Sequence, residues 1–431
     1  MRSHSFFLSF LILGGLVLAA RAGEPPAPFS PPRPVQVRLA SLGAPVRLTV
    51  RPTGILRAMN AVSGEVLELE ATPEPIGIAA SGKLVTIGAH TVPSLRLEAD
   101  SLAVESGRLK RAYPGALVLF AASGKLRVVN ECSLESYTEG VVAAECPALF
   151  HPEAIKAMAV AARSYSYRKA YLTGGELCDT VHCHVYRGTG GVRSSIRDAV
   201  RATASMGALY EGEVIEAVYS SDCGGYTEAN ESAWKGAKPV PYLRPVEDAP
   251  EPQGEPYCAV NRSHAWRLPL SRARLQSLFG KAAPELVLEV VDTTESGRVR
   301  RLQLTTPRRE EEPSEEGVPA AKPAVREFTG EQWRRLCGLS SVKSLKFEVQ
   351  GTPTGVELQG QGYGHGVGLC QFGANGMGRK GVSFDEIIRH YYSGVEVEPL
   401  PGVDEARARR AQKRLAADER GAEGRGLLPI R

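Results

Sequence analysis

LESYTEGVVAAECPALFHPEAIKAMAVAARSYSY, residues 134–167, carries the clearest helical pattern in this chain. Pro152 suits the first turn of a helix, in which Lys156, Arg163 and Tyr167 then follow at spacings of seven and four residues. At about 100° per residue these three side chains fall within about 40° of one another and form one polar stripe. An adjoining stripe is apolar, as a half-buried helix requires, and consists of Ile155, Met158, Ala159 and Ala162.

Glu145 stands between an apolar run and the proline that opens this helix. Glu145 thus stands just before the start of a helix whose solvent-facing stripe bears two cations and a phenol. Such an acid is suited to acid/base chemistry on an uncharged polymer. Val141, Val142, Ala143 and Pro147 could form apolar walls, which would raise the pKa of the carboxyl. Lys156 and Arg163 would lower that pKa if they lie close to it.

Outward from this stretch, the pattern changes from helices to strands. Short alternating runs separated by Ser-Gly and Pro-Gly turns predict a β-rich domain of small antiparallel sheets over residues 35–130. Helix is predicted from about Glu135 to Leu172 and near Ser195–Ala204, followed by a hairpin that turns at 211–213. The predicted fold class is therefore α+β, with residues 131–400 forming a helix-containing region around a cleft.

A last helix, SFDEIIRHYYSG, follows a glycine-rich stretch at residues 360–381. Ser383 and Glu386 form a capping-box pair at its start, and Gly394 supplies its stop.

The two ends of the chain and one internal segment have compositions that do not predict a packed domain. Residues 1–22 have the basic start, apolar run and Ala20-Arg21-Ala22 site of a secretory signal peptide, with an uncleaved anchor as the alternative. Residues 23–34 are a proline-rich linker, residues 307–325 a charged, disordered insertion, and residues 401–431 a charged tail that is a solvated extension or a helix. The mature protein is therefore expected in the periplasm, the cell envelope or the extracellular space.

The composition is that of an ordinary globular protein, with 43% hydrophobic and 23% charged residues. A net charge of +4 over 431 residues, without a nucleic-acid-binding motif, argues against a nucleic-acid partner.

The eight cysteines permit disulfides in an exported protein, although their pairing cannot be read from the sequence. One local cluster, Cys178, His182, Cys183 and His184, places two thiols and two imidazoles within seven residues. Neighbouring side chains point in different directions, so Cys178, His182 and Cys183 are the candidate ligands of a structural zinc ion. A disulfide or free thiols are the alternatives.

Two further segments have the composition of a binding site. YSSDCGGYTE, residues 219–228, offers hydroxyls and paired glycines, and Trp234 beyond it offers a sugar-type contact, although a strand-end turn with a buried Trp explains it as well. GQGYGHGVGLCQFGANGMG, residues 360–378, lacks the Gly-Lys-Ser/Thr ending of a phosphate loop. Its His365 is either a core histidine or a cleft residue that orients substrate.

In order and spacing, five segments resemble the sporulation stage II protein D family, which also covers the LytB-type amidase-enhancer domains. The resemblance spans residues 35–397 and rests on LESYTEGVVAAECP, HPEAIKAMAVAARSY, CHVYRG, YSSDCGGYTEANESAW and GQGYGHGVGLCQFGANGMGRKGVSFDEIIRHYYSGV.

The resemblance implies a lytic transglycosylase that cleaves peptide-stripped glycan strands of peptidoglycan, with no cofactor required. By position, Glu145 matches the catalytic acid of this family. A single carboxyl would protonate the glycosidic oxygen and then deprotonate the C6 hydroxyl of the sugar, which gives a 1,6-anhydro-muramyl end. The implied substrate-binding residues are Lys156, Arg163, Tyr167, Ser220, Ser221, Gly224, Gly225, Tyr226, Thr227, His365 and Gln371.

The resemblance also implies a rival function, a non-catalytic amidase enhancer that binds glycan and recruits a cell-wall amidase. Four residues depart from the family pattern: Cys146, Cys223 and Cys370 replace other residues, and His184 replaces the usual glutamine. Cys146 with His151 would be a Cys-His nucleophile pair, whereas a buried hydrophobic role explains the same thiol. Some relatives bind zinc near His184, which favours the zinc assignment.

Overall fold

A computed structural model describes residues 33–70, 74–147, 149–279, 287–306 and 324–423. The predicted signal peptide at 1–22, residues 23–32 of the linker and residues 307–323 of the predicted insertion lie outside these ranges. Within them, no helix combines the length and the apolar character needed to cross a membrane.

The strands of the described residues are β1 (Val35–Arg38), β2 (Arg47–Thr53), β3 (Arg57–Asn60), β4 (Ile76–Ser81), β5 (Leu84–Ile87), β6 (His90–Val92), β7 (Ser94–Ser106), β8 (Leu109–Ala122), β9 (Lys125–Cys132), β10 (Leu177–Cys178), β11 (Met206–Tyr210), β12 (Glu213–Val214), β13 (Tyr219–Ser220), β14 (Ala265–Ser271), β15 (Val287–Thr293), β16 (Val299–Thr306), β17 (Ala324–Thr329), β18 (Phe347–Thr352), β19 (Gly355–Gln361), β20 (Leu369–Cys370) and β21 (Val395–Pro399). The helices are α1 (Leu134–Glu145), α2 (Pro152–Tyr167), α3 (Ser194–Ala202), α4 (Asn230–Ala233), α5 (Arg272–Phe279), α6 (Gly330–Cys337), α7 (Gln371–Arg379), α8 (Phe384–Tyr391) and α9 (Val403–Glu423). The predicted α+β class is confirmed.

One large sheet contains all the strands before α1. Its order is β10-β1-β9-β8-β7-β2-β4-β5-β6, and β3 also pairs with β7. The prediction of several small sheets is therefore wrong. Strand β7 has 13 residues, enough to pair with β2 at one end, with β3 at the other and with β8 along its other edge, so the short strands join one sheet.

Local capping explains where the central helices begin. Ser133 accepts the backbone N–H of Ser136 at the start of α1, and His151 caps α2 ahead of Pro152. Helix α2 is buried along most of its length rather than on one stripe, and its alanines allow close packing. The N–H of His151 donates to Asn375 Oδ1 at 2.8 Å, which ties the start of α2 to α7.

One hydrophobic core cluster extends from Val35 to Ala406 and contains residues on both sides of position 130. The boundary predicted there marks a change from strands to helices within this shared core. A second, smaller cluster, from Trp266 to Leu358, lies among β14–β19, α5 and α6. This second core was not predicted from the sequence.

The hairpin, the capping box and the C-terminal tail were also predicted from the sequence. The hairpin at 211–213 is confirmed by β11 and β12, and the capping box of Ser383 with Glu386 is confirmed at α8. The predicted tail begins as helix α9, with Val403 and Ala406 in the main core. The interpretation of this segment as a solvated extension is therefore wrong for its first turns.

Candidate active site

Glu145 is the last residue of α1, and its side chain is half-buried. The backbone N–H of Val185 donates to Glu145 Oε1 at 2.6 Å, and the side chain of Gln371 also hydrogen-bonds the carboxyl. Burial raises the pKa of Glu145, and these two hydrogen bonds and the charge of Arg187 oppose the rise without cancelling it. Of the two opposing effects expected from the sequence, the effect of apolar burial is the larger one in this structure.

Gln371 reaches the acid because two separate segments pair beside it. Strands β13 and β20 run parallel, with Ser220 opposite Cys370, and the N–H of Phe372 donates to the carbonyl of Ser221 at 3.0 Å. Gln371 then opens α7 directly after β20. The serine-glycine segment and the glycine-rich segment therefore meet next to Glu145, as a single site requires.

Two glycines of the glycine-rich segment allow close packing of its backbone beside the site. Gly366 (φ +78°) lies against the guanidinium of Arg298, and Gly368 (φ +68°) lies against the carbonyl of Val218. A Cβ at either position would collide with those atoms, and the positive φ angles also favour glycine. The glycine-rich composition of this segment thus serves backbone packing.

Arg187, Val185 and Tyr219 are neighbours of the acid that were not predicted from the sequence. Both Val185 and Arg187 belong to the CHVYRG segment, residues 183–188, and this motif could have pointed to them. Burial and the charge of Glu145 both raise the pKa of Tyr219. The ring of His184 stacks on Tyr219 at 5.3 Å and 10°, and burial lowers the pKa of His184 to about 3. His184 is therefore a neutral packing residue behind the site.

The polar stripe of α2 does not face solvent, so that prediction is wrong. Arg163 is 0% exposed; it donates to both carboxyl oxygens of Glu135, at 2.9 and 2.7 Å, and to the carbonyls of Val200 and Met206. Tyr167 is equally buried, and its hydroxyl donates to the carbonyl of Pro401 at 2.9 Å. The packing of α1 and α3 against α2, together with the segment just before α9, covers these side chains.

Lys156 is half-buried and pairs with Glu153 at 2.7 Å, one turn away on the same helix. The other carboxyl oxygen of Glu153 accepts the N–H of Phe384 at 2.9 Å, so this pair connects α2 to α8. Neither Lys156 nor Arg163 is among the groups that act on the pKa of Glu145; the charge that acts on it is that of Arg187.

The predicted serine-glycine residues occupy different environments. Ser220 is buried beside β20, and its hydroxyl has no hydrogen-bond partner among the described residues. Gly224 and Gly225 adopt positive φ angles of +72° and +90°, and Tyr226 and Ser221 are half-buried. Thr227 is buried, and its hydroxyl accepts the N–H of Val246 at 2.7 Å. Ser220 and Ser221 thus lie nearest to Gln371, whereas Thr227 is hydrogen-bonded to the backbone of Val246.

His365 is held by the backbone on both sides. Its Nδ1 accepts the N–H of Val367 at 3.0 Å, and the ring also hydrogen-bonds the backbone of Tyr219. Burial lowers the pKa of His365 to about 4, so the ring is neutral at pH 7. The ring of Trp234, 39% exposed, lies 5.2 Å away. His365 therefore fixes the backbone behind an exposed aromatic side chain.

Cys178, His182 and Cys183 converge next to the loop that carries Val185. The Sγ atoms of Cys178 and Cys183 are 3.0 Å apart, and His182 Nδ1 lies 3.7 and 3.5 Å from them. These three donors are of the types that zinc prefers, and the Sγ–Sγ distance lies between that of a disulfide, about 2.0 Å, and that of two sulfurs bound to one zinc ion, about 3.8 Å. The choice between zinc and a disulfide at this cluster stays a prediction.

Cys146 is a buried thiol at the C-terminal cap of α1. Burial, together with the charge of Glu145, raises its pKa well above the ordinary value. A reactive cysteine needs a lowered pKa and an accessible sulfur. The geometry therefore supports the hydrophobic role of Cys146 and not the nucleophile pair with His151.

The chain is similar in sequence to several known proteins. A family model described as stage II sporulation protein matches residues 122–210, a range that contains Glu145 and Arg187. An uncharacterised protein of Brachyspira hyodysenteriae is 30% identical over 289 residues, which cover 66% of this chain and 72% of that protein. The stage II sporulation protein D of Bacillus subtilis is 29% identical over 326 residues, 70% of this chain and 86% of that protein. An amidase enhancer of Bacillus subtilis is 29% identical over 294 residues, 59% of this chain and 39% of that protein.

Proposed function

The chain belongs to the stage II sporulation protein D family, and we propose that it is a lytic transglycosylase of peptidoglycan in which Glu145 is the single acid/base. The observation that carries this proposal is the environment of Glu145. Its carboxyl is half-buried, its pKa is raised by burial, and it is oriented by two hydrogen bonds from segments distant in the chain. This combination is typical of a general acid.

One carboxyl can perform both proton transfers of this reaction. Protonated Glu145 donates its proton to the glycosidic oxygen as the bond to the anomeric carbon breaks. The resulting carboxylate then takes the proton of the C6 hydroxyl, whose oxygen bonds to the anomeric carbon and closes the 1,6-anhydro ring. The acid is restored and no water is consumed, whereas a glycoside hydrolase normally needs a second carboxyl.

The neighbours of Glu145 suit this cycle. The N–H of Val185, the side chain of Gln371 and the charge of Arg187 favour the carboxylate that exists between the two transfers, while burial favours the acid that starts the reaction. Trp234 offers an exposed aromatic face for a sugar ring. The proposed substrate is a glycan strand stripped of its stem peptides, and the proposed location is outside the cytoplasm, on the basis of the predicted signal peptide at residues 1–22.

The test is digestion of amidase-treated glycan strands, with mass spectrometry of the products in water enriched in ¹⁸O. We expect anhydro ends without ¹⁸O from the unmodified protein and a loss of about 10²- to 10⁴-fold in Glu145→Gln, since this is the usual contribution of a general acid/base. Glu139→Gln is the matched control, because Glu139 is a half-buried acid on the same helix with a pKa that burial also raises. Equal rates for Glu145→Gln and Glu139→Gln would contradict the assignment, and reducing ends that contain ¹⁸O would indicate a hydrolase.

The name of the Bacillus subtilis amidase enhancer supports a second candidate, a glycan-binding protein that stimulates a cell-wall amidase. In that case the protein would bind glycan strands, release no anhydro ends, and increase the rate of an added amidase equally well with Glu145→Gln.

A further inference from the structure

Three thiols and one carboxylate meet in the interior, beside the segment that carries Gln371. Cys223 follows β13, Asp248 and Cys258 belong to the connection between α4 and β14, and Cys370 ends β20. All four residues are buried, and their ligand atoms lie within 4.8 Å of one another. Residues from three separate parts of the chain therefore converge on one point.

The spacing of the sulfur atoms suits a tetrahedral metal ion. A zinc–sulfur bond is about 2.3 Å long, so two sulfur ligands of a tetrahedral zinc ion lie about 3.8 Å apart. The Sγ atoms of Cys223 and Cys258 are 3.8 Å apart. A disulfide would join only two of the thiols and would leave the third thiol and the carboxylate without a common partner.

Hydrogen bonds orient these groups in the way that outer-shell contacts orient metal ligands. The hydroxyl of Tyr391 donates to Asp248 Oδ1, and the N–H of Cys258 donates to Asp248 Oδ2 at 2.9 Å. Cys370 Sγ accepts the N–H groups of Cys223 and Gly373, at 3.2 and 3.3 Å. Backbone N–H groups aimed at sulfur favour a thiolate, the form that binds metal.

Two buried or half-buried cations compensate the negative charge that three thiolates and a carboxylate would leave around a divalent ion. Arg298 donates to the carbonyl of Cys223 at 2.7 Å and is buried. Lys346 donates to the carbonyl of Gly224 at 2.7 Å and is half-buried. The neighbouring Asp222 is already satisfied by Gly224, Asn261 and His264, so it is a separate hydrogen-bonding group.

We propose that Cys223, Asp248, Cys258 and Cys370 together bind one structural zinc ion. The ion would hold the end of β20, and thus Gln371, against the segment after β13. It has no open position for substrate, because four protein ligands complete a tetrahedral site. This site is distinct from the cluster of Cys178, His182 and Cys183, and it does not depend on the proposed reaction.

The test separates the two clusters by mutation in the full mature chain. The double variant Cys178→Ser/Cys183→Ser removes the other candidate zinc ligands, and its metal content is measured after purification with zinc supplied. We expect one zinc ion per chain in this background and none after adding Cys258→Ser. Cobalt(II) replacing zinc in the double variant should show the intense near-ultraviolet absorption of cobalt–thiolate bonds.

Because Cys258→Ser could prevent folding, Asp248→His in the same background provides a second measurement. Histidine is also a zinc ligand, so this variant should keep the ion and shift the visible absorption of bound cobalt. An unchanged cobalt spectrum would exclude Asp248 as a ligand. A double variant that binds no zinc, or one whose unreduced mass is lower by two hydrogens because a disulfide joins two of the three thiols, would overturn the proposal. None of these readouts involves glycan cleavage.

Discussion

At Glu145, burial and hydrogen bonding act on one carboxyl in opposite directions, and burial prevails. A pKa raised in the folded state means that folding favours the protonated carboxyl. The related stability is fully present below the ordinary pKa of glutamate and is lost as the pH rises through the folded-state pKa. At neutral pH, ionisation of the Glu145 carboxyl therefore lowers the stability of the fold.

Glu145→Gln should accordingly raise the free energy of unfolding at pH 7, because the neutral amide still accepts the N–H of Val185 without the cost of a buried charge. The difference from the unmodified protein should vanish as the pH falls below the ordinary pKa of glutamate. Urea unfolding at a series of pH values would measure it. A destabilisation that is the same at every pH would show that hydrogen-bond geometry outweighs the charge.

At the scale of elements, α2 is a buried helix that packs against α1, α3, α7, α8 and β11. Its polar residues serve this packing: Arg163 joins α2 to α1, α3 and β11, while Lys156 and Glu153 join it to α8. The bidentate contact between Arg163 and Glu135 has a fully buried guanidinium and a carboxylate that is 38% exposed. Removing the guanidinium takes away the donor to the carbonyl of Met206, whereas the carbonyl of Val200 still accepts from Thr203.

Arg163→Met should lower the free energy of unfolding by about 3 kcal/mol, the low end for breaking a buried ion pair, since Glu135 can be solvated. Lys156→Met is the control, because a half-buried pair within one helix is worth under about 1 kcal/mol. Chemical denaturation measures both variants. If Arg163→Met abolished glycan cleavage while its stability remained that of the unmodified protein, Arg163 would have the substrate-binding role that the family resemblance implied.

At the scale of the whole molecule, the C-terminal segment closes the main core. Val403 and Ala406 pack into that core, the carbonyl of Pro401 accepts the hydroxyl of Tyr167, and Arg407 donates to the carbonyl of Tyr171 at 3.0 Å. The start of α9 is thus part of the folded unit, although its composition is that of a solvated tail.

Truncation after Leu400 should destabilise the protein by about 4 kcal/mol, because a buried valine is worth about 1.5 to 3 kcal/mol and each of the two lost hydrogen bonds about 1 kcal/mol. Truncation after Lys413 keeps these contacts and should leave the stability nearly unchanged. Thermal unfolding of the two truncated chains makes the comparison. Equal melting temperatures would show that α9 contributes little to the core.

The features that the sequence predicts correctly are local. The helix start at Pro152, the hairpin near residue 212 and the capping box at Ser383 each depend on residues within a few positions of each other, and the α+β class follows from the order of such local patterns. The acid at the end of α1 and its apolar neighbours also belong to this local set. Capping and periodicity act over one or two turns, so they can be read without the fold.

The groups that surround Glu145 and the cysteines that meet are set instead by contacts between distant segments of the chain. The N–H of Val185 lies 40 positions away from the acid, and Gln371 comes from the far end of the chain. Burial of Arg163, the single large sheet and the convergence of Cys223, Asp248, Cys258 and Cys370 likewise arise from packing between distant segments. Side-chain periodicity gives the face of a helix, but the element that covers that face is selected by the core as a whole.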